Sequence, residues 1–235
     1  IDHGLQESAK AKLNGKKGSI VMMNPKTGDI YAMVSVPDFN PNTLKDDWNE
    51  IVEDSDSSFL NRCTMGLYQP GSTFKVVTAI AGIESGNGNE VIKCNGSTKI
   101  DGYVLKDYGG KAHGNMNLQE ALVKSCNVYF SQMGLKIGRI KMGEVAEKCM
   151  FNNKIDFDLP TVNSTFPYKD GMSKTELAAS SIGQGKILVT PLNMAMIASS
   201  IANNGSMVKP ILVKEVISPK GDIVRTNYTK EISKV

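Results

Sequence analysis

The chain has 235 residues, of which 40% are hydrophobic, 22% charged and 6% aromatic, and its formal net charge is +3. This composition is typical of a globular protein long enough to bury a large core, and we expect one domain. The small, evenly spread charge argues against nucleic acid as a partner, because nucleic-acid-binding proteins carry a basic stripe. Pro191 and Asn193 interrupt the longest apolar run, so no stretch reaches the roughly 18 residues that span a membrane. The sequence opens without a signal-peptide pattern, and we expect it to be a piece of a longer protein.

The first predicted elements are two strands. Residues 18–24 and 29–36 are apolar runs on either side of a Pro-Lys-Thr-Gly turn at residues 25–28, which is typical of a β-hairpin. Both runs are apolar almost throughout, which predicts that they are covered on both faces. Residues 37–58 are polar around the only tryptophan, Trp48, and we interpret them as a surface excursion.

A buried helix is predicted next. Residues 72–83 follow a Gln-Pro-Gly sequence and are apolar on nearly every side, which indicates a helix inside the core. The helix should end at Ser85 and Gly86, because glycine accepts the left-handed cap conformation. Residues 87–115 are rich in Gly, Asn and Lys, and we interpret them as a loop-rich insertion with short β-like pieces.

Capping patterns mark the later helices. Asn117 with Glu120, and Ser173 with Glu176, have the capping-box spacing that begins a helix. Further helices are predicted at residues 127–137 and 139–150, divided by Gly138, and after Thr190, with Pro191 at the first helical position. The tail, residues 210–217 and 223–225, indicates another hairpin. Strands at both ends around central helices predict an α/β or α+β sandwich.

The four cysteines are far apart in the sequence, at Cys63, Cys94, Cys126 and Cys149. None forms a C-x-x-C pair, and no His cluster lies near them, so we expect no metal site. Four thiols in a chain of this length do not form a disulfide framework. We therefore expect buried thiols.

The chemistry is carried by residues 68–75, where Ser72 stands at the start of the buried helix and Lys75 follows three residues later. Residues at i and i+3 share a helix face, so the hydroxyl and the amine can meet. An apolar helix would desolvate the lysine and favour its neutral form, which is a general base for the hydroxyl. The alternative is a capping serine and a surface lysine, since Ser-x-x-Lys occurs often by chance.

A second element is Ser125-Cys126-Asn127, inside a helical stretch. Residues two apart do not face the same way on a regular helix, so a shared site requires a break between two helices here. Ser125 could then relay a proton next to Lys75, and Asn127 could bind a substrate amide. The alternative is a capping pair at an interhelical turn.

With these motifs, the chain resembles the transpeptidase domain of class B penicillin-binding proteins. The matching segments are residues 18–21, 28–33, 66–75, 121–130, 181–185, 190–195 and 202–205, in family order. The resemblance implies a β-lactamase/transpeptidase-like α/β fold over residues 1–235, with an antiparallel sheet flanked by helices and a mostly helical subdomain. It also implies an N-terminal anchor and a stalk domain outside this chain, and a position on the extracytoplasmic face of the cell membrane.

The resemblance implies roles for four residues. Ser72 would attack the D-Ala-D-Ala end of a peptidoglycan stem peptide and form an acyl-enzyme, which an amine of a neighbouring stem resolves. Lys75 would be the base, Ser125 the proton shuttle and Asn127 a substrate ligand. β-Lactams would block Ser72, no cofactor is required, and a glycosyltransferase of the elongation or division machinery is the implied partner.

One family element is missing. A Lys-Thr-Gly strand should follow the region of residues 204–205, and no such triplet occurs there. The Lys-Thr-Gly at residues 26–28 precedes the serine, and we interpret it as hairpin-turn chemistry. We therefore expect the fold to be incomplete at its C-terminus and acylation of this chain to be slow, since losing one oxyanion donor costs roughly 100- to 1,000-fold.

Two alternatives remain for the function. A serine β-lactamase shares Ser-x-x-Lys but needs a carboxylate-activated water, for which no positioned Glu is evident. A non-catalytic domain that senses β-lactams or acts as a scaffold would retain the motifs without turnover. His113 lies in the loop-rich insertion, and we interpret it as a structural residue, with ligand contact at the mouth of the site as the alternative.

Overall fold

The structure is a computed structural model that describes residues 1–235. The helices, numbered along the chain, are α1 (His3–Lys12), α2 (Trp48–Glu53), α3 (Lys75–Glu84), α4 (Leu118–Val123), α5 (Asn127–Ile137), α6 (Arg139–Lys148), α7 (Lys174–Ser180) and α8 (Pro191–Ala202). The strands are β1 (Gly18–Met23), β2 (Ile30–Val36), β3 (Ile92–Cys94), β4 (Ser97–Ile100), β5 (Tyr103–Lys106), β6 (Gly114–Met116), β7 (Ser206–Val208), β8 (Glu215–Ile217), β9 (Ile223–Thr226) and β10 (Glu231–Lys234). None of these helices combines the length and apolar character that crossing a membrane requires.

The chain divides into two compact units. The first unit contains residues 1–67, 154–163 and 189–235, and the second contains residues 68–153 and 164–188. The strands form five two-stranded antiparallel pairs, so helices and strands are mixed as the sequence predicted.

The first unit is organised around the predicted hairpin. β1 and β2 pair from Gly18 opposite Val36 to Met23 opposite Ile30, with α1 packed on β2 and α8 packed on β1. Only alternate residues of β2 are buried, because successive side chains of a strand point to opposite faces. The expectation of cover on both faces was therefore wrong for β2, whose Tyr31 is 39% exposed.

The first unit contains more secondary structure than its sequence predicted. The predicted hairpin is present as β8 paired with β9. A second pair, β10 with β7, was not predicted. The helix α1 at the other end of the chain was not predicted either; its N-cap is Asp2, whose side chain accepts a hydrogen bond from the Leu5 N–H. Their contacts depend on partners distant in the chain, which a local pattern does not reveal.

The second unit packs three helices on α3. α3 contacts α4, α5 and α6, and α5 also contacts α7. A 3-10 turn, Gly71–Phe74, leads into α3, so the regular helix starts three residues later than residue 72. Phe74 is fully buried and its ring packs on Phe151 and Phe166, with centroids 5.4 and 5.8 Å away. Gly86, with φ +76°, follows the end of α3 as predicted.

The break between α4 and α5 places residues 125–127. α4 begins with the predicted capping box, in which Asn117 and Glu120 exchange side-chain-to-backbone hydrogen bonds. Ser125 then takes a left-handed conformation, φ +50°, and the Cys126 thiol caps α5 by accepting from the Tyr129 N–H. The expected interruption of the helix is therefore present at Ser125.

Candidate active site

The serine of the Ser-x-x-Lys motif is held on an exposed turn by two hydrogen bonds from neighbouring residues to backbone carbonyl groups. Ser72 lies in the 3-10 turn before α3 and is exposed. The Gly71 N–H donates to the Gly183 carbonyl oxygen at 2.8 Å, and Gln69 Nε2 donates to the Gly185 carbonyl oxygen at 2.7 Å. A Cβ at Gly183 would lie 1.9 Å from the Gly71 oxygen, so only glycine permits this approach.

Lys75 brings the predicted site residues together. Its side chain is almost completely buried, at 1% exposure, although lysine is rarely buried without partners. The Nζ atom lies 3.1 Å from Ser72 Oγ, 3.0 Å from Ser125 Oγ and 2.7 Å from Asn127 Oδ1, and it also contacts the Ser125 carbonyl oxygen. The structure thus places all four predicted residues around one amine.

The surroundings of Lys75 favour a neutral amine. Burial lowers the pKa of Lys75, against an opposing effect of the negative charge of Asp107. The Ser125 carbonyl and Asn127 Oδ1 can only accept hydrogen bonds, whereas the two hydroxyls can also donate. A neutral amine satisfies both obligatory acceptors with its two N–H groups, which leaves its lone pair to accept the Ser72 hydroxyl proton.

Asp107 lies behind this site, on the side away from Ser72's solvent face, and no sequence motif pointed to it. Its buried carboxylate accepts from the Asn127 N–H at 3.2 Å, the Cys126 thiol at 2.8 Å and the Tyr108 N–H at 2.9 Å. Burial by itself raises the pKa of Asp107, but these hydrogen bonds outweigh it and the net pKa is lowered. Asp107 therefore fixes the backbone at residues 126–127 as a buried anion.

Asp107 also belongs to a cluster with Cys94, His113 and Cys126. Asp107 Oδ2 lies 3.4 Å from Cys94 Sγ and 3.3 Å from His113 Nδ1, and the four ligand atoms lie within 4.8 Å of one another. Two sulfurs, one imidazole nitrogen and one carboxylate oxygen fit the donor types and the count of a four-coordinate zinc site. The cysteine spacing predicts no metal site, and this prediction does not take account of the cluster, which forms only through contacts between residues distant in the chain.

Several other expectations concern the cysteines, His113 and the first Lys-Thr-Gly. All four cysteines are buried thiols, as predicted, and burial raises the pKa of the Cys63 thiol to about 11. His113, interpreted as a loop residue, has its side chain mostly buried against Asp107. The Lys-Thr-Gly of residues 26–28 lies in the turn between β1 and β2, where Gly28 has φ +83°.

Comparison with known proteins shows the family. The model of the penicillin binding protein transpeptidase domain matches residues 18–234, and the chain belongs to this family. Among similar proteins, the peptidoglycan D,D-transpeptidase MrdA of Acinetobacter baumannii is 32% identical over 96% of this chain. The peptidoglycan D,D-transpeptidase PbpA of Mycolicibacterium smegmatis is 34% identical over 86% of it. The chain spans 36% and 44% of the lengths of these two relatives.

Solved structures agree with this assignment. Penicillin-binding protein A of M. tuberculosis, as a ceftriaxone acyl-enzyme complex, superposes with a TM-score of 0.92 at 29% identity, covering 100% of this chain and 57% of that one. The D,D-transpeptidase domain from Eggerthella lenta gives a TM-score of 0.91 at 30% identity, covering 98% of this chain and 60% of that one. The β-lactamase/transpeptidase-like fold implied by the motifs is confirmed.

Proposed function

We propose that this chain is the acyl-transfer domain of a peptidoglycan D,D-transpeptidase that β-lactams inhibit covalently. The observation that carries the proposal is the buried Lys75 amine 3.1 Å from the exposed Ser72 hydroxyl. An exposed nucleophile can reach a substrate. Burial lowers the pKa of the amine and so favours the neutral form, which can accept the proton of the nucleophile. The family and the named activities of the relatives support the same chemistry.

Acylation would use all four residues. Ser72 Oγ bonds to the carbonyl carbon of the penultimate D-alanine while its proton passes to Lys75. The bond to the terminal D-alanine nitrogen breaks, and Ser125 passes the proton on to that nitrogen. Asn127, whose Nδ2 donates to the Lys106 carbonyl oxygen at 3.3 Å, keeps its amide in the plane where it can bind the substrate backbone. Unpaired N–H groups at the start of the helix suit the developing oxyanion.

Deacylation would complete the cross-link. The amine of a second stem peptide attacks the ester carbon, a new carbon–nitrogen bond forms, and the bond from that carbon to Ser72 Oγ breaks. The amine proton returns to Ser72 Oγ through Lys75, so both groups regain their initial state. No step requires a redox change, because only acyl and proton transfers occur.

The cellular setting is part of the proposal. We infer that the domain acts on the extracytoplasmic face of the cell membrane, where stem peptides are displayed. A glycosyltransferase of the elongation or division machinery is the expected partner, since cross-linking requires newly made glycan strands. Support comes from the family resemblance, and the chain spans less than half of the curated relatives that share it.

Mass spectrometry after prolonged incubation with penicillin tests the proposal. We expect one adduct on the peptide that contains Ser72, and no adduct in Ser72→Ala. Thr73→Ser is the matched control, because it keeps a hydroxyl beside the nucleophile and should be labelled like the wild type. An adduct on another residue, or none at all, would contradict acyl transfer at Ser72, and continuous hydrolysis of a chromogenic cephalosporin would favour the β-lactamase alternative.

A further inference from the structure

A cavity of about 530 Å³ lies in the second unit, apart from the residues that surround Lys75. Its lining includes Glu176, Ala179 and Ser180 of α7, together with Tyr103, Met172 and Lys186. Ligand pockets in proteins commonly have volumes of roughly 300–1,000 Å³. The cavity is therefore large enough for an extended side chain with its flanking backbone.

The walls combine apolar surface with polar groups. The Tyr103 ring, Met172 and Ala179 offer apolar surface, suited to an aliphatic chain. Ser180, which is 1% exposed, adds a hydroxyl to the lining.

The charges of the lining favour a cation. Asp170 lines the cavity and makes no ion pair, whereas Glu176 pairs with Lys186 at 2.8 Å. The lining therefore carries two carboxylates and one ammonium, which leaves one negative charge uncompensated. An aliphatic amine matches both the apolar walls and this charge.

One loop contributes to the cavity lining and also forms hydrogen bonds with the segment that precedes Ser72. Gly185 lines the cavity, and its carbonyl oxygen accepts from Gln69 Nε2 at 2.7 Å, three residues before Ser72. Gly183, two residues earlier, accepts from the Gly71 N–H at 2.8 Å. A ligand seated against this loop thus contacts the same segment that holds the serine turn.

We propose that this cavity is the docking subsite for the acceptor substrate, the stem peptide whose aliphatic side-chain amine resolves the acyl-enzyme. The inference rests on the proposed function, which needs a second substrate besides the acyl donor. The aliphatic part of the side chain packs on Tyr103 and Met172, and its ammonium pairs with Asp170. After docking, the ammonium loses a proton to solvent and its nitrogen becomes the nucleophile toward the Ser72 ester.

Binding is measured first, without any acylation. A stem tripeptide with a free side-chain amine is titrated into the isotope-labelled protein, and the amide signals of Ala179 and Gly185 are followed by NMR. We expect these signals to shift, and we expect the side-chain N-acetylated tripeptide to bind more weakly. Equal binding of the two peptides, or shifts that avoid the cavity, would overturn the proposal. Because this measurement does not need Ser72, its result is independent of the proposed function.

Turnover variants then separate docking from acylation. A thioester donor acylates Ser72, and the ratio of aminolysis to hydrolysis is measured with the tripeptide as acceptor. Ala179→Leu, which fills the cavity, should lower this ratio about tenfold, in line with the cost of overfilling a packed site. Asp170→Asn should lower it about two- to fivefold, the worth of an exposed ion pair.

Control measurements distinguish a loss of acceptor binding from a loss of acylation. Lys174→Ala, on an exposed part of α7 outside the cavity lining, should leave both the ratio and the rate of reaction with penicillin unchanged, and the penicillin rate of each cavity variant is measured beside its ratio. An unchanged ratio in both cavity variants would overturn the acceptor subsite while leaving acyl transfer intact. If Ala179→Leu does not fold, Asp170→Asn still decides, because Asp170 is exposed and its loss creates no steric conflict.

Discussion

Two polar clusters in the second unit share residues 125–127 and differ in how the chain builds them. In the first, Ser72 and Lys75 are three residues apart, and Ser125 and Asn127 join them from one later segment. The second cluster is built from four separate segments of the chain, which contribute Cys94, Asp107, His113 and Cys126. Ser125 and Asn127 approach Lys75, while Cys126 between them approaches Asp107, so the break after α4 supplies both clusters at once.

The comparison shows how one buried anion can support one buried amine. Asp107 fixes residues 126–127 through the Cys126 thiol and the Asn127 N–H, and its charge acts against the effect of burial on the pKa of Lys75. The first cluster is open to a substrate at the exposed Ser72, whereas Asp107 and both cysteines of the second are buried. We therefore expect changes in the first cluster to alter reactivity and changes in the second to alter stability.

The largest expected effect comes from Lys75→Met, which keeps the length and the burial of the side chain but removes the base. Acylation of Ser72 by penicillin should slow by about 10²- to 10⁴-fold, the usual contribution of a general base. Rapid-mixing measurements with a fluorescent penicillin give this rate. Lys124→Met, at an exposed position just before Ser125, is the control and should react like the wild type. A loss of less than tenfold would show that Lys75 is not the base.

The second cluster is tested by the effect of zinc on the free energy of unfolding. If Cys94, Asp107, His113 and Cys126 bind zinc in the folded state only, saturating zinc should raise the free energy of unfolding by about 2.7 kcal/mol at 100 times its dissociation constant. Denaturant titration with zinc and with a chelator measures the difference. Cys94→Ala should lose the response, and Cys63→Ala, another buried cysteine outside the cluster, should keep it. A wild-type protein indifferent to zinc would contradict this expectation.

Sequence reasoning reached the first cluster by two routes. The i, i+3 spacing places Lys75 beside Ser72, and the Asn117 capping box marks where α4 begins, but only the family resemblance joined Ser125 and Asn127 to that pair. The second cluster was not predicted, because it requires β3 to pair with β6 and the β4–β5 hairpin to bring Asp107 to Cys126. Such contacts leave no spacing signature in a single sequence.

The same distinction holds for the fold. The β1–β2 hairpin and the caps of α4, α7 and α8 follow from turn and capping residues, and all four features are present. The pairing of β10 with β7, and the single buried face of β2, depend on which distant element covers each strand. The 3-10 turn at Ser72 depends on the close approach of Gly71 to Gly183, which no local pattern records.

The smallest expected effect is a pH dependence that sharpens the contrast between the two clusters. Burial lowers the pKa of Lys75 from its ordinary 10.5, against the charge of Asp107, so the neutral amine is available below pH 10.5. Below the lowered pKa, the acylation rate should rise about tenfold per pH unit, and it should level off before pH 10.5. A rate that still climbs tenfold per unit beyond pH 10.5 would contradict a desolvated lysine.

Stability should follow the same pKa with a defined sign. Between the lowered pKa of the folded state and 10.5, unfolded Lys75 is protonated and folded Lys75 is neutral, so the unfolded state binds more protons. The free energy of unfolding must therefore rise with pH in this window, relative to Lys75→Met, which cannot titrate there. Denaturant titrations of the two proteins at several pH values give the difference directly. A difference that falls with rising pH would mean that Asp107 holds the folded amine in its charged form, and the buried anion would then prevail over burial.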